Sequence, residues 1–183
     1  MNPSEAASLI ESAVQGCGHT WADIGAGDGT FTRALIERLG PECRVFAVDR
    51  DRRALARLEH WANQGGSGVT TVVADFRRPF ELPGPAQPTL DGILLANALH
   101  FVRDPESVLA RLVQWLRPGG RVVLIEYDRR GPNPWVPYPI PIARLLALAA
   151  AAGLSPPIVT ETRRSAYGGN LYVATADRSS LGD

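Results

Sequence analysis

Three glycines at alternate positions, Gly25, Gly27 and Gly29, constrain this chain more than any other feature. They sit in the run Asp23-Ile24-Gly25-Ala26-Gly27-Asp28-Gly29-Thr30-Phe31, with apolar Trp21 to Ile24 before it and a helical stretch, 30–39, after it. Between a strand and a helix, residues without a side chain admit left-handed backbone angles and let a ligand approach the main chain. The run therefore reads as the turn of a β-α unit. Its spacing is G-x-G-x-G, not the G-x-G-x-x-G of dinucleotide binders. A loop that cradles pyrophosphate works through amides and positive potential at a helix N-terminus. Asp23 before this loop and Asp28 inside it oppose an anion and suit a ligand that carries positive charge.

The rest of the chain repeats the unit. Within the N-terminal segment 1–18, residues 4–15 read as an amphipathic helix, with Leu9, Ile10, Ala13 and Val14 on one face and Ser4 as its cap. Strands are expected at 19–24, 43–49, 69–75, 91–97 and 121–127. Helices are expected at 30–39, 51–64, 104–116 and 140–152. The run Val45-Phe46-Ala47-Val48 suits a strand buried on both faces. Glycine stops follow the second and third helices, at Gly40-Pro41 and Gly65-Gly66. Pro79, Pro83, Pro85 and Pro88 make 76–90 a loop, and Pro132, Pro134, Pro137 and Pro139 do the same for 131–139. Strands 158–163 and 170–176, joined by 165–169, form an antiparallel hairpin. The pattern predicts one α/β domain, residues 1–183, with a three-layer, mostly parallel sheet covered by helices on both faces and a disordered tail at 177–183.

Composition removes several functions. Net charge is zero, which argues against a nucleic-acid partner or a polybasic membrane surface. All 19 basic side chains are arginine. Without lysine there is no Schiff base, no pyridoxal site and no phosphate-loop lysine. Cys17 and Cys43 lack metal-ligand spacing, so no metal is expected, and they read as free thiols of a reducing compartment. Glu5 and Glu11 stand where a signal peptide would be basic or apolar, and no apolar run reaches membrane-spanning length. A soluble, cytoplasmic protein is expected; its oligomeric state is left unassigned.

In an open parallel sheet, ligands bind beyond the carboxyl ends of the strands. Asp49 ends the second strand twenty residues after Gly29, the place where an acid accepts hydrogen bonds from ribose hydroxyls. Asp75 and Phe76 at the third pair an acceptor with an apolar ring, which suits an exocyclic amine and one face of adenine. Asn97 ends the fourth, before Ala98-Leu99-His100, and Glu126-Tyr127-Asp128 ends the fifth. Each alone reads equally as a cap or turn residue. Their recurrence at one structural point of successive strands favours a shared site.

With these motifs in order, residues 19–176 resemble a class I, Rossmann-like S-adenosylmethionine-dependent methyltransferase of the small-molecule type. Asp23 to Gly29 resembles the family's first motif, Phe46-Ala47-Val48-Asp49 its ribose-binding acid and Ala74-Asp75-Phe76 its adenine pair. Asp91 to His100 resembles the fourth motif, and Leu116-Arg117-Pro118-Gly119-Gly120 the turn before strand five. The resemblance implies a seven-stranded sheet in the order 3-2-1-4-5-7-6 with strand 7 antiparallel. It also implies S-adenosyl-L-methionine as cofactor, S-adenosyl-L-homocysteine as product, and in-line methyl transfer that rests on positioning. Asp23 would then help hold the cofactor's ammonium group. Gly25, Ala26, Gly27 and Gly29 would carry its methionine part, Asp49 and Arg50 its ribose end, and Asn97 and Ala98 would flank the reacting centre.

The proline-rich stretch 76–90 replaces a helix that many relatives carry, and little sequence remains for a lid. The acceptor would be a small molecule methylated on oxygen or nitrogen. His100 is the candidate general base, with a satisfied structural histidine as its alternative. Trp135 and Tyr138 read either as walls of an aromatic pocket near the sulfonium or as plugs over the core. Arg129, Arg130, Arg163 and Arg164 would suit a carboxylate or phosphate on the acceptor, or form a solvated face. Two other readings stay open. One is an NAD(P)-dependent oxidoreductase using Asp49 or Arg50, Arg52 and Arg53; the other is a non-catalytic cofactor-binding subunit.

Overall fold

Alternating side chains along the strands sort two apolar sets onto opposite faces of one sheet. The computed structural model describes residues 1–65, 68–84, 89–128, 131–164 and 169–179. Its strands are β1 (Thr20–Ile24), β2 (Arg44–Asp49), β3 (Gly68–Val73), β4 (Leu90–Ala96), β5 (Leu116–Asp128), β6 (Ile158–Arg164) and β7 (Asn170–Asp177). They lie in the order β3-β2-β1-β4-β5-β7-β6, with β7 antiparallel to both neighbours. This is the expected sheet.

Helices α1 (Pro3–Val14) and α2 (Thr30–Leu39) cover one face, where Leu9, Ile10 and Leu35 meet Val123, Ile125 and Val173. Helix α3 (Arg52–Gly65) joins them through Leu55 and Leu58 on Ala47. The other face carries α4 (Pro105–Val113) and α5 (Leu145–Ala151) over Ile93, Leu95, Leu124 and Ala174. Where the order reverses, Trp21 of β1 pairs with Gly92 of β4. A Cβ at Gly92 would lie 2.4 Å from the Trp21 ring, so the indole occupies the space a side chain there would need.

The structure corrects several boundaries. Asn2, not Ser4, caps α1, because Pro3 takes the first helical position; Asn2 accepts from the Glu5 N–H while Glu5 accepts from the Asn2 N–H. Helix α4 stops at Val113, and the expected turn 116–120 lies inside β5 as a bulge. Arg178 holds that bulge. Its carbonyl accepts from Gly119 N (2.9 Å), its N–H donates to Gly120 O (2.7 Å), and its guanidinium donates to the carbonyls of Gln114 and Leu116. The expected tail thus begins inside the fold: Asp177 is the last residue of β7 and pairs with Arg121 at 2.7 Å. Its remainder, 180–183, lies outside the described residues.

The last helix starts late. Pro141 disfavours helix at the residue before it and is itself extended at ψ 156°, and a 3-10 turn at Ile142–Arg144 then precedes α5. Residues 76–84 are a loop as expected; Phe80 meets the Trp115 ring edge-on at 4.9 Å and Leu82 is buried, filling the face a helix would cover. Pro85, Pro88 and the hairpin link 165–168 lie outside the described residues. No helix among the described residues is long and apolar enough to cross a membrane.

Candidate functional site

A crevice of about 700 Å³ opens at the carboxyl ends of β1 to β4, beside the switch in strand order. The glycine loop forms its floor. Gly25 has φ +81°, and a Cβ there would stand 2.8 Å from Ala98 Cβ, so the loops after β1 and β4 touch. Gly27 has φ +53° with nothing within 4 Å of its missing side chain, which leaves bare main chain facing the crevice. Ala26 and Gly29 lie beneath, against α3: Ala26 packs with Leu55 and Leu58, and a Cβ at Gly29 would strike Leu58.

Asp49 ends β2 at the centre of the wall. One carboxylate oxygen accepts from Gly27 N and the other from Asp51 N, both at 2.8 Å. Each oxygen keeps a second lone pair for a ligand. Asp75, two residues past β3, accepts from Arg77 Nε at 2.8 Å and Nη2 at 2.7 Å. This forked bond holds its carboxyl down at about 2, so it stays ionised and an acceptor. Phe76 lines the same end, its carbonyl accepting from Arg111 at 2.6 Å. Arg50 lines the wall as well.

The two acids of the glycine loop behave differently from the expectation. Asp28 reaches the crevice but is paired with Arg57 of α3, which cancels its charge. Asp23 is 1 % exposed, does not line the crevice, and accepts from Thr32 Oγ1 at 2.6 Å. Negative potential arises instead from the count along the wall: Asp28, Asp49, Asp51 and Asp75 face three arginines, Arg50, Arg57 and Arg77. The balance of one negative charge still suits a cationic ligand.

Burial pushes the Asp23 carboxyl up to about 7, against the lowering effect of the Thr32 hydrogen bond. An unfolded aspartate titrates near 4. Between about 4 and 7 the native state therefore holds a proton that the unfolded state has lost, and stability falls as pH rises through that window. Asp23→Asn keeps an oxygen for Thr32 and cannot ionise. Its denaturant-unfolding free energy should be flatter than wild type between pH 5 and 8, and higher at pH 8. An unaltered slope would show that Asp23 is not the group responsible.

Asn97 follows β4 and lines the crevice at φ +52°, the one positive φ among the described non-glycine residues. Its Oδ1 is buried without a hydrogen-bond partner. Two local costs therefore meet at one residue, a concentration typical of functional sites. Ala98 lines the crevice beside it.

His100 is displaced from the role foreseen for it. It is 2 % exposed and does not line the crevice. Its N–H donates to Glu126 Oε1 at 3.1 Å, and its ring Nδ1 lies 2.6 Å from Glu126 Oε2. Its carbonyl accepts from Tyr138 N at 3.0 Å. Tyr138 does line the crevice, together with Pro137 and Phe101. Phe101, next to His100 in a 3-10 turn, went unnoticed in the sequence; its signal was an aromatic ring in the loop after strand four. Trp135 is 80 % exposed and not among the lining residues. Arg163 and Arg164 end β6, two strands beyond β5, and do not reach the crevice. Arg129 and Arg130 lie outside the described residues.

Comparison with known proteins agrees with this geometry. A family described as a methyltransferase domain matches residues 22–122. A ubiquinone/menaquinone biosynthesis C-methyltransferase of Bordetella parapertussis is 31 % identical over 107 residues, 58 % of this chain and 40 % of its own. A bifunctional biotin-biosynthesis protein of Bordetella avium is 32 % identical over 139 residues, 74 % of this chain and 27 % of its own. The chain thus spans well under half the length of these relatives. Among solved structures, the Burkholderia thailandensis 1,6-didemethyltoxoflavin-N1-methyltransferase, with 1,6-didemethyltoxoflavin and S-adenosylhomocysteine bound, superimposes with a TM-score of 0.74. It is 25 % identical, over 97 % of this chain and 78 % of that one.

Proposed function

This chain belongs to the methyltransferase-domain family, and from that premise we propose that it transfers a methyl group from S-adenosylmethionine to a small molecule. The carrying observation is the wall itself, with Asp49, Asp75, Phe76 and bare Gly27 around a crevice of net negative charge. Asp49 binds the ribose hydroxyls with its free lone pairs. Asp75 accepts from the exocyclic amine while Phe76 lies along the adenine, and Arg50 borders the nucleoside. The main chain from Gly25 to Gly27 supports the methionine part, and Asn97 and Ala98 flank the reacting centre. Asp23 acts from beneath the loop as a buried carboxyl.

Bound there, the cofactor supplies an electrophilic methyl carbon: the acceptor atom bonds to it as the carbon–sulfur bond breaks, the electron pair leaves with sulfur, and any acceptor proton passes to water. The chain contributes alignment, which by itself can lower the barrier by about 7–11 kcal/mol. At the acceptor end, Tyr138 is the one titratable lining side chain among the described residues. A nitrogen lone pair needs no base there, and a hydroxyl can pass its proton to water as the new bond forms, which supports N- or O-methylation. His100 serves as a positioning residue in this reading, behind Phe101 and Tyr138.

Ligand-dependent unfolding tests the proposal. At 100 times its dissociation constant a ligand adds about 2.7 kcal/mol, or roughly 5–10 °C in a domain of this size. S-adenosylhomocysteine should produce that shift and NAD(P) none. The reverse result would replace methyl transfer with the oxidoreductase reading.

A further inference from the structure

The crevice is divided by charge. Among the described residues, every charged side chain along its wall lies in or just after the segments that follow β1, β2 and β3: Asp28, Asp49, Arg50, Asp51, Arg57, Asp75 and Arg77. Among the described residues, the segments after β4 and β5 contribute Asn97, Ala98, Phe101, Pro137 and Tyr138, all uncharged. Phe101 is 47 % and Tyr138 40 % exposed. Both side chains thus keep surface that a ligand entering the crevice can cover.

We propose that the methyl acceptor is a flat, uncharged aromatic or heteroaromatic ring that packs against Phe101 and Tyr138 at this end. The proposal rests on the methyltransferase reading above and names its substrate class. Three physical points carry it. An anionic acceptor would lose hydration at this end, where none of the described residues is a cation, and a cationic one would be repelled by the sulfonium. A ring with a polar edge matches two half-wet aromatic side chains, because its face gains offset or edge contacts while its edge stays solvated. A flexible alkyl chain would lose more conformational freedom in the same place.

The wall is also built before any ligand arrives. Tyr138 N–H donates to His100 O, and His100 is held twice by Glu126. Two residues on, Ile140 O accepts from the Tyr172 hydroxyl at 2.7 Å, and Asp128 Oδ1 accepts from Ile142 N at 3.1 Å. Val136 and Asn133 exchange main-chain hydrogen bonds on the other side. The segment carrying Pro137 and Tyr138 is therefore fastened on both sides of the rings. A preformed, rigid aromatic wall suits a rigid planar partner, since neither must be ordered on binding.

Three probes of one carbon framework separate flatness from charge: 2-naphthol, 2-naphthoate and decahydro-2-naphthol, titrated calorimetrically into protein saturated with S-adenosylhomocysteine. 2-Naphthol should bind at least tenfold more tightly than either of the others. Phe101→Ala and Tyr138→Ala should each weaken it about tenfold while leaving S-adenosylhomocysteine affinity within twofold. Preference for the carboxylate or the saturated ring, with S-adenosylhomocysteine still bound, overturns the acceptor class and leaves the methyltransferase reading intact. Variants that weaken S-adenosylmethionine but not its neutral product would assign the rings to the sulfonium, which also overturns it. Failure of S-adenosylhomocysteine to bind at all would remove the methyltransferase reading, and this proposal with it.

Discussion

Asp49→Ala is expected to weaken S-adenosylhomocysteine binding about 100-fold. In the proposed reading the carboxylate accepts from both ribose hydroxyls, and a hydrogen bond to a charged group contributes about 1.5–3 kcal/mol. Losing two of them costs at least about 3 kcal/mol, which is two orders of magnitude in affinity. The same side chain accepts from Gly27 N and Asp51 N, so its removal also frees the glycine loop it holds. Asp49→Asn keeps one carbonyl oxygen and should lose only about tenfold, since a neutral acceptor is weaker than a charged one. Equilibrium dialysis of the three proteins checks the order. An alanine variant binding within threefold of wild type would remove Asp49 from the ribose site.

A second large effect lies behind the acceptor wall. Glu126 and His100 are 0 % and 2 % exposed and touch each other at two points, 26 residues apart in the chain. Removing Glu126 leaves two buried groups of His100, its main-chain N–H and its ring Nδ1, without their partner, at a typical cost of about 1–3 kcal/mol each. For Glu126→Ala the melting temperature should therefore fall by on the order of 10 °C. Glu126→Gln retains an oxygen for the His100 N–H and should lose clearly less. Because the pair stands behind Tyr138 and Phe101 rather than Asp49, the stabilisation by S-adenosylhomocysteine should survive in both variants. A Glu126→Ala protein melting within 2 °C of wild type would mean the pair holds nothing in place.

What could be read from the chain depended on how far apart the interacting residues are. The strands and helices followed from apolar runs, glycine stops and prolines, each a signal within a few residues, while the order of the strands in the sheet came from the family resemblance. Asp49 and Asp75 stood out because a strand ends where its apolar run ends, and parallel strands bring those ends to one edge. The cap of α1 was misplaced by two residues because Pro3 competes locally with Ser4. Helix 140–152 shrank because Pro141 acts on the residue before it.

Pairings between distant side chains were not legible. Asp28 reads as a free negative charge in the loop, but Arg57 on α3, beyond α2 and β2 and 29 residues along the chain, pairs with it. His100 looked like a base because an imidazole beside a predicted site invites that reading; its partner sits on β5, and only the register of β4, β5 and the 3-10 turn brings them together. Arg178 read as part of a tail, yet it closes the bulge of β5.

By itself, then, the sequence determined the β-α rhythm, the sheet class and which strand ends carry acids, since these depend on local backbone preference and on periodic burial. Only the tertiary structure decided which charges remain free. It cancels Asp28 against Arg57, buries Asp23 and His100, and, among the described residues, sets an uncharged aromatic end beside a charged one. The physical reason is that a side chain's charge and reactivity are set by neighbours within a few ångströms, and here most of those neighbours lie tens of residues away along the chain.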